Sequence, residues 1–199
     1  MRDTSAIPVT VIIPCLNAAG ILPETLSAVQ AFDEVILLDS YSRDGSRDIA
    51  RRYGARIVDF TWDGGYPKKK QWALDHLETR HDWVLQLDAD EVPGSALIAE
   101  IAALYDQGPE RDGYFIQGRH VIDGRHLRFG RHNHKLCLFR KNAFAYPVVD
   151  DLDIPGTGEV EWHYQPLVRD DAGAVRIGRL KAPLAHYAFE DWRAWAFRH

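Results

Sequence analysis

The first half of the chain alternates between two apolar patterns. VTVIIPCLN (Val9–Asn17) is a largely β-branched run closed by polar residues, as in a strand covered on both faces. LPETLSAVQ then sets Leu22, Leu26 and Val29 at helical spacing with Pro23 in the first turn, which predicts a helix. The alternation continues with DEVILLDS as a second buried strand, RDGSRDIARRYG as a helix closed by Gly54, and ARIVDF as a third strand. PKKKQWALDHLETR predicts a helix offering Trp72, Leu74 and Leu77 to the core, WVLQLDAD a fourth strand, and PGSALIAEIAALYDQG another helix. Such a repeat predicts an α/β fold with a doubly wound, mostly parallel sheet, whose ligands bind beyond the carboxyl ends of the strands. It fills about residues 1–107, and about 108–199 reads as a smaller β/α portion of the same domain.

The strand ends are therefore the candidate site: Pro14–Asn17, Asp39–Asp44, Phe60–Tyr66 and Asp88–Glu91. Asp39 and Asp44 also suit the ordinary task of capping the next helix. Capping does not explain why Asp88, Asp90 and Glu91 crowd together before a helix has begun. Two carboxylates about 4 Å apart repel by about 4 kcal/mol at an effective dielectric near 20, and a divalent cation reverses that sign. Oxygen ligands select a hard ion, magnesium or manganese, which keeps positions open for substrate phosphates.

Composition narrows the classes. With 199 residues, 46% of them apolar, the chain can bury a sizeable core. A formal net charge of −5 argues against a nucleic-acid partner, although KKKQW (Lys68–Trp72) and RHLRFGRHNHK (Arg125–Lys135) are local basic patches suited to anions. Cys15 and Cys137 lie far apart in apolar runs and support neither a disulfide framework nor a zinc site. No apolar run is long enough to cross a bilayer, and MRDTSAIPVTVIIP lacks the pattern of a signal peptide, so a cytoplasmic location is expected. At the far end, FEDWRAWAFRH is amphipathic, reading either as a membrane-surface helix or as a helix packed on the sheet.

VTVIIPCLNAAGILPETLSAV, EVILLDSYSRDGSRDIARRYGA and WVLQLDADE, in that order and spacing, resemble the nucleotide-sugar half of family 2 glycosyltransferases. The later EVEWHYQP and LKAPLAHYAFEDWRAWAFRH resemble the subgroup that contains lipopolysaccharide core glucosyltransferases. The resemblance implies a Rossmann-like, glycosyltransferase type A fold and a metal-dependent, inverting transfer of a hexose from a nucleotide-sugar, UDP-linked, to a saccharide or lipid-linked acceptor. It implies nucleotide contacts from Pro14, Cys15, Asn17 and Lys70, with Asp39 on the uracil or ribose side. Asp88 is expected near the ribose, and Asp90 on a magnesium or manganese ion bridging the diphosphate. Cys15 departs from the hydroxyl or aliphatic residue of the pattern. His186, or else His163, would be a further metal ligand. The lipid-linked acceptors of the subgroup imply work at the inner face of a membrane, and the family pattern implies further sequence beyond residue 199.

Transfer also needs a carboxylate base on the acceptor side. If EVEWHYQ is extended, Glu159, Glu161 and His163 share one face, which is either a catalytic layout or a solvated strand face. Glu161 is the first candidate and Asp151 the second, while Asp150 and Asp153 sit in a Pro- and Gly-rich loop. His132 and His134 could meet phosphate or acceptor, and Trp62, Trp72 and Trp162 read as core or as sugar-stacking surfaces. Two rivals remain. A metal-dependent nucleotidyltransferase would carry a Gly-rich basic loop where PCLNAAG stands, and a non-catalytic nucleotide-sugar binding module would tolerate loss of Glu161 and Asp151.

Overall fold

All four strands of the first half form in the computed structural model, which describes residues 6–127, 133–154, 158–161 and 164–187. The order is β1 (Ile7–Cys15), α1 (Leu22–Ala28), β2 (Phe32–Asp39), α2 (Ser46–Arg52), β3 (Arg56–Asp59), α3 (Lys69–His76), β4 (Trp83–Gln86), β5 (Glu91–Pro93) and α4 (Ser95–Gln107). Strands dominate the second half: β6 (Gly113–Ile122), β7 (Arg125–His126), β8 (Asn133–Arg140), β9 (Phe144–Ala145), β10 (Leu167–Val168), β11 (Ile177–Arg179) and β12 (Leu184–His186). The segment ending in Phe189, Trp192, Trp195 and Phe197 lies outside the described residues.

The main sheet runs β3-β2-β1-β4-β8-β6-β12-β5. The links among β3, β2, β1 and β4 are parallel, as expected. β8 then enters antiparallel between β4 and β6, so the second half continues the same sheet with mixed strand directions rather than as a β/α repeat. This insertion matters for the site, because the amino end of an antiparallel strand lies at the same edge as the carboxyl ends of its parallel neighbours. Trp83 pairs with Arg140, Val84 with Phe139 and Leu85 with Leu138; continued outward, that register sets Asp88 opposite Lys135.

Alternation along β1 explains the two-sided core. Val9, Val11, Ile13 and Cys15 face one way, packing with Leu22 and Leu26 of α1, Ile49 and Ala50 of α2, and Leu97 and Ile101 of α4. Ile12 faces the other way, toward Ala73 and Leu74 of α3, Phe60, Phe139 and Phe144. Helices thus cover both faces of the parallel half. Trp72 belongs to this second layer, with its ring 5.4 Å from that of Phe60 and 4.9 Å from that of His76. Trp62 is half-buried and its Nε1–H donates to Gly65 O at 2.7 Å, whereas Trp162 and His163 lie outside the described residues. Both cysteines are buried and unpaired with each other. Among the described residues no helix is long and apolar enough to cross a membrane.

Gly113 opens β6 where the second layer is tightest. A Cβ there would stand 2.9 Å from Phe144 Cζ and 3.1 Å from Leu136 Cδ1, both wholly or nearly buried. Gly113→Ala is expected to destabilise the fold by about 1–3 kcal/mol through overpacking, read as a lowered urea midpoint at unchanged slope.

Candidate active site at the carboxyl edge of the sheet

The ends of β1 and β2 are stitched together by side chains bonded to backbone. Asn17 Oδ1 accepts from Arg43 N at 2.8 Å, Asn17 N donates to Ser42 Oγ at 2.8 Å, and Ala19 N donates to Asp44 Oδ2 at 2.8 Å. Asn17 and Tyr41 both adopt left-handed backbone, with φ of 52° and 58°. Non-glycine residues seldom adopt that conformation, and it persists only where the surroundings over-determine it. Pro14 and Cys15 are buried in β1, so of the residues assigned to the nucleotide at this strand end Asn17 is the one at the surface. Asp39 is likewise fully buried: its carboxylate accepts from Ser42 N at 3.0 Å and Arg47 NH1 at 2.8 Å, and from Ser42 Oγ. Burial alone would push its carboxyl up, but Ser42 and Arg47 more than offset this and hold it below the usual range. Asp39 therefore shapes the β2 loop from beneath, and it does not present an open carboxylate to a base.

The KKK run is not a solvent-facing patch. Lys68, Lys69 and Lys70 are all buried at the start of α3, each with its own carboxylate. Lys68 Nζ meets Asp151 Oδ2 at 2.8 Å, Lys69 Nζ meets Glu159 Oε1 at 3.0 Å, and Lys70 Nζ meets Asp88 Oδ1 at 2.8 Å. Lys69 also donates to Cys15 O at 2.8 Å and Ser40 Oγ at 2.6 Å, tying α3 to the ends of β1 and β2.

Glu161 and Asp151, the candidate bases, have structural work in this frame. Glu159 and Val160 form a bend, not the extended strand that would align Glu159 and Glu161 on one face. Glu161 Oε2 accepts from Lys70 N and Oε1 from Gln71 N, both at 2.8 Å, while Glu159 O accepts from Lys69 N at 2.7 Å. The first three amides of α3 are thus satisfied by a segment about 90 residues away, since Lys68, the residue before the helix, provides no side-chain cap. Burial pushes the Glu161 carboxyl up, opposed by the two amides. Asp151 is buried as well, bound by Lys68, Tyr66 OH and Tyr164 OH. A base must reach the acceptor's hydroxyl, and both of these carboxylates are closed in by their own chain.

The turn after β4 carries the acidic cluster. Glu91 N donates to Asp88 O at 3.0 Å and Asp88 N to Glu91 Oε2 at 2.9 Å; Thr25 Oγ1 donates to Ala89 O at 2.7 Å and Tyr187 N to Asp90 O at 2.9 Å. Lys135 Nζ lies 2.6 Å from both Asp88 Oδ2 and Glu91 Oε1, so Asp88 bridges two ammonium groups. Burial raises the Asp88 carboxyl, yet Lys70 and Lys135 hold it well below the ordinary range. Burial would lower the Lys135 ammonium, yet Glu91 and Asp88 hold it well above its own. Asp90 is as exposed as Asp88, at 34%, but differs in its partner: its described side-chain partner is His186, with Nε2 at 3.4 Å from Oδ2. The His186 ring stacks on His120 at 4.9 Å, in line with the pairing of β12 with β6.

Asp90 and His186 fit one side of a hard divalent ion whose other positions go to phosphate oxygens and water. Among the described residues no set of three or more His, Cys, Asp or Glu side chains could hold a metal by itself. His134 is half-buried on β8, and His132 lies outside the described residues.

Residues 10–160 match the sequence pattern of the family described as Glycosyl transferase family 2. The chain belongs to that family. A TPR repeat-containing protein of Synechococcus elongatus is 36% identical over 76 residues, which is 38% of this chain and 18% of that protein. An uncharacterized glycosyltransferase of Rickettsia bellii is 34% identical over 90 residues, 45% of this chain and 30% of that protein. The matched stretches thus span less than a third of these curated relatives. The crystal structure of S. aureus TarS has the same fold, with a TM-score of 0.60 at 20% identity, covering 90% of this chain and 36% of TarS.

Within this family 2 domain, Lys135 and His120 are site residues to which the sequence pattern gives no role of their own. The signal for Lys135 is its place at the close of the basic patch Arg125–Lys135, just before the apolar run LCLF. For α3, Glu161→Ala is expected to cost about 2 kcal/mol or more of unfolding free energy in urea, because two buried amides lose their acceptors. Glu161→Gln keeps one acceptor and is expected to lose less.

Proposed function

We propose that this family 2 domain transfers a hexose from a UDP-sugar, with inversion and with magnesium or manganese, to a saccharide or lipid-linked acceptor. The setting we propose is assembly of a cell-surface polysaccharide or lipopolysaccharide at the cytoplasmic face of the membrane. The observation that carries the transferase reading is the Asp90–His186 pair, partly exposed at the carboxyl edge of the parallel strands beside the Lys70 and Lys135 ammonium groups on Asp88. Nucleotidyl transfer loses ground, since β1 ends in a loop fixed by Asn17, Ser42 and Asp44 rather than in a Gly-rich basic cradle.

Glycosyl transfer is limited by the charge that develops on the departing nucleoside diphosphate. A divalent ion bound to the diphosphate supplies Lewis acidity at that point. Asp90 and His186 are the residues that would hold and orient the ion. The ammonium groups on Asp88 add fixed positive potential beside it without any rearrangement of the chain. The stitched loops after β1 and β2 keep the nucleotide end rigid, so the anomeric carbon has a fixed position for in-line attack.

Calorimetric titration of UDP and UDP-sugars, with manganese and then with chelator, tests this reading. Binding is expected to weaken on chelation, and Asp90→Ala is expected to lose that metal-dependent part by about tenfold or more. Equal UDP affinity in wild type and Asp90→Ala would remove Asp90 from the metal site, and no binding of any nucleotide would overturn the transferase reading.

A further inference from the structure

Three carboxylates fall within the four residues Asp88–Glu91, yet their surroundings differ sharply. Glu91 is fully buried and Asp88 is 34% exposed, and one ammonium group, that of Lys135, sits 2.6 Å from an oxygen of each. Lys135 reaches this place because β8 is antiparallel to β4 and their register brings it level with Asp88. It is 16% exposed, so it stands inside the cluster and not at its rim. The same turn is fixed by Thr25 and Tyr187 through the carbonyls of Ala89 and Asp90, and the Asp90 carboxylate meets His186 at 3.4 Å.

A pair of carboxylates such as Asp88 and Glu91 would attract a divalent cation if left bare. Here that electrostatic place is filled by cations that are part of the chain: Lys70 meets Asp88 alone, and Lys135 is the one that spans both carboxylates. Among the described residues, what is left for a metal is one carboxylate and one imidazole, too few ligands to strip water from magnesium or manganese, so the remaining affinity has to come from the diphosphate. We propose that Lys135 is a positioning residue, a resident counter-ion that closes the Asp88–Glu91 pair to free metal and so makes metal binding at Asp90 and His186 depend on bound nucleoside diphosphate. This rests on the UDP-sugar reading for its second half, while the first half concerns the protein with no nucleotide present. Because coupling is reciprocal, metal should strengthen UDP binding by the factor by which UDP strengthens metal binding.

The test is a manganese titration followed by electron paramagnetic resonance of the free ion, on wild type, Lys135→Met and Lys135→Arg, each with and without UDP. Wild type and Lys135→Arg are expected to take up manganese only weakly until UDP is added. Lys135→Met is expected to bind manganese without nucleotide at least about tenfold more tightly than wild type, since one neutralising charge is gone from the pair. A merely structural lysine would shift the thermal midpoint of Lys135→Met and leave its nucleotide-free manganese affinity at the wild-type level, and that result overturns the proposal. Tight nucleotide-free binding by wild type also overturns it, which keeps the idea exposed even where Lys135→Met does not fold. Failure of UDP to bind wild type under any condition counts against the transferase reading instead, and the nucleotide-free arms still judge Lys135.

Discussion

Everything at this edge of the protein depends on three consecutive ammonium groups buried at the wrong end of a helix. The amino terminus of α3 carries partial positive charge from its own amides, so Lys68, Lys69 and Lys70 add like charge to like and do so out of contact with water. Such an arrangement stands only if anions are brought to it. Asp88 comes from the turn after β4, while Asp151, Glu159 and Glu161 come from the second half of the chain, Glu161 on the amides themselves and the others on the ammonium groups. The second half is therefore held against the first by charge compensation as well as by the apolar layer beneath. Buried ion pairs are weak contributors to net stability, because desolvation consumes most of the Coulombic gain. Their value here is geometric: any register or loop path that fails to deliver all four carboxylates leaves a bare charge inside the protein.

That constraint also explains what could be read in advance. The buried strands VTVIIPCLN and DEVILLDS and the helices between them announce themselves through local periodicity, and β1, β2 and α1 form where the pattern places them. The acidic strand end at Asp88–Glu91 is legible for the same reason. The partners are not. Lys68 meets Asp151 across 83 positions and Lys69 meets Glu159 across 90, and no spacing rule encodes contacts of that range. So the lysines read as a basic surface, and the alternation in EVEWHYQ suggested a strand, where the chain instead bends to cap α3. The insertion of β8 between β4 and β6 is hidden likewise, since a single apolar run specifies a strand but neither its neighbours nor its direction.

The frame and the site share residues, and this division of labour decides which carboxylates remain available. Asp39, Asp151 and Glu161 are closed in, and Asp88 and Glu91 are neutralised by Lys70 and Lys135. Each of them would pass for a ligand or base by residue type and position along the chain. Only Asp90 of the acidic turn keeps a partly exposed carboxylate with an imidazole beside it. A D-x-D spacing thus describes two equally exposed aspartates with different partners: Asp88 is balanced by two ammonium groups, and Asp90 meets an imidazole. The difference is set by what each neighbouring strand carries. β8 supplies an ammonium to the first, β12 supplies His186 to the second, and β6, paired with both strands, supplies the stacked ring of His120 that backs His186. The chemistry of the turn is accordingly a property of the sheet order, which is why the second half has to be in place before the first half's motif acquires its two distinct roles.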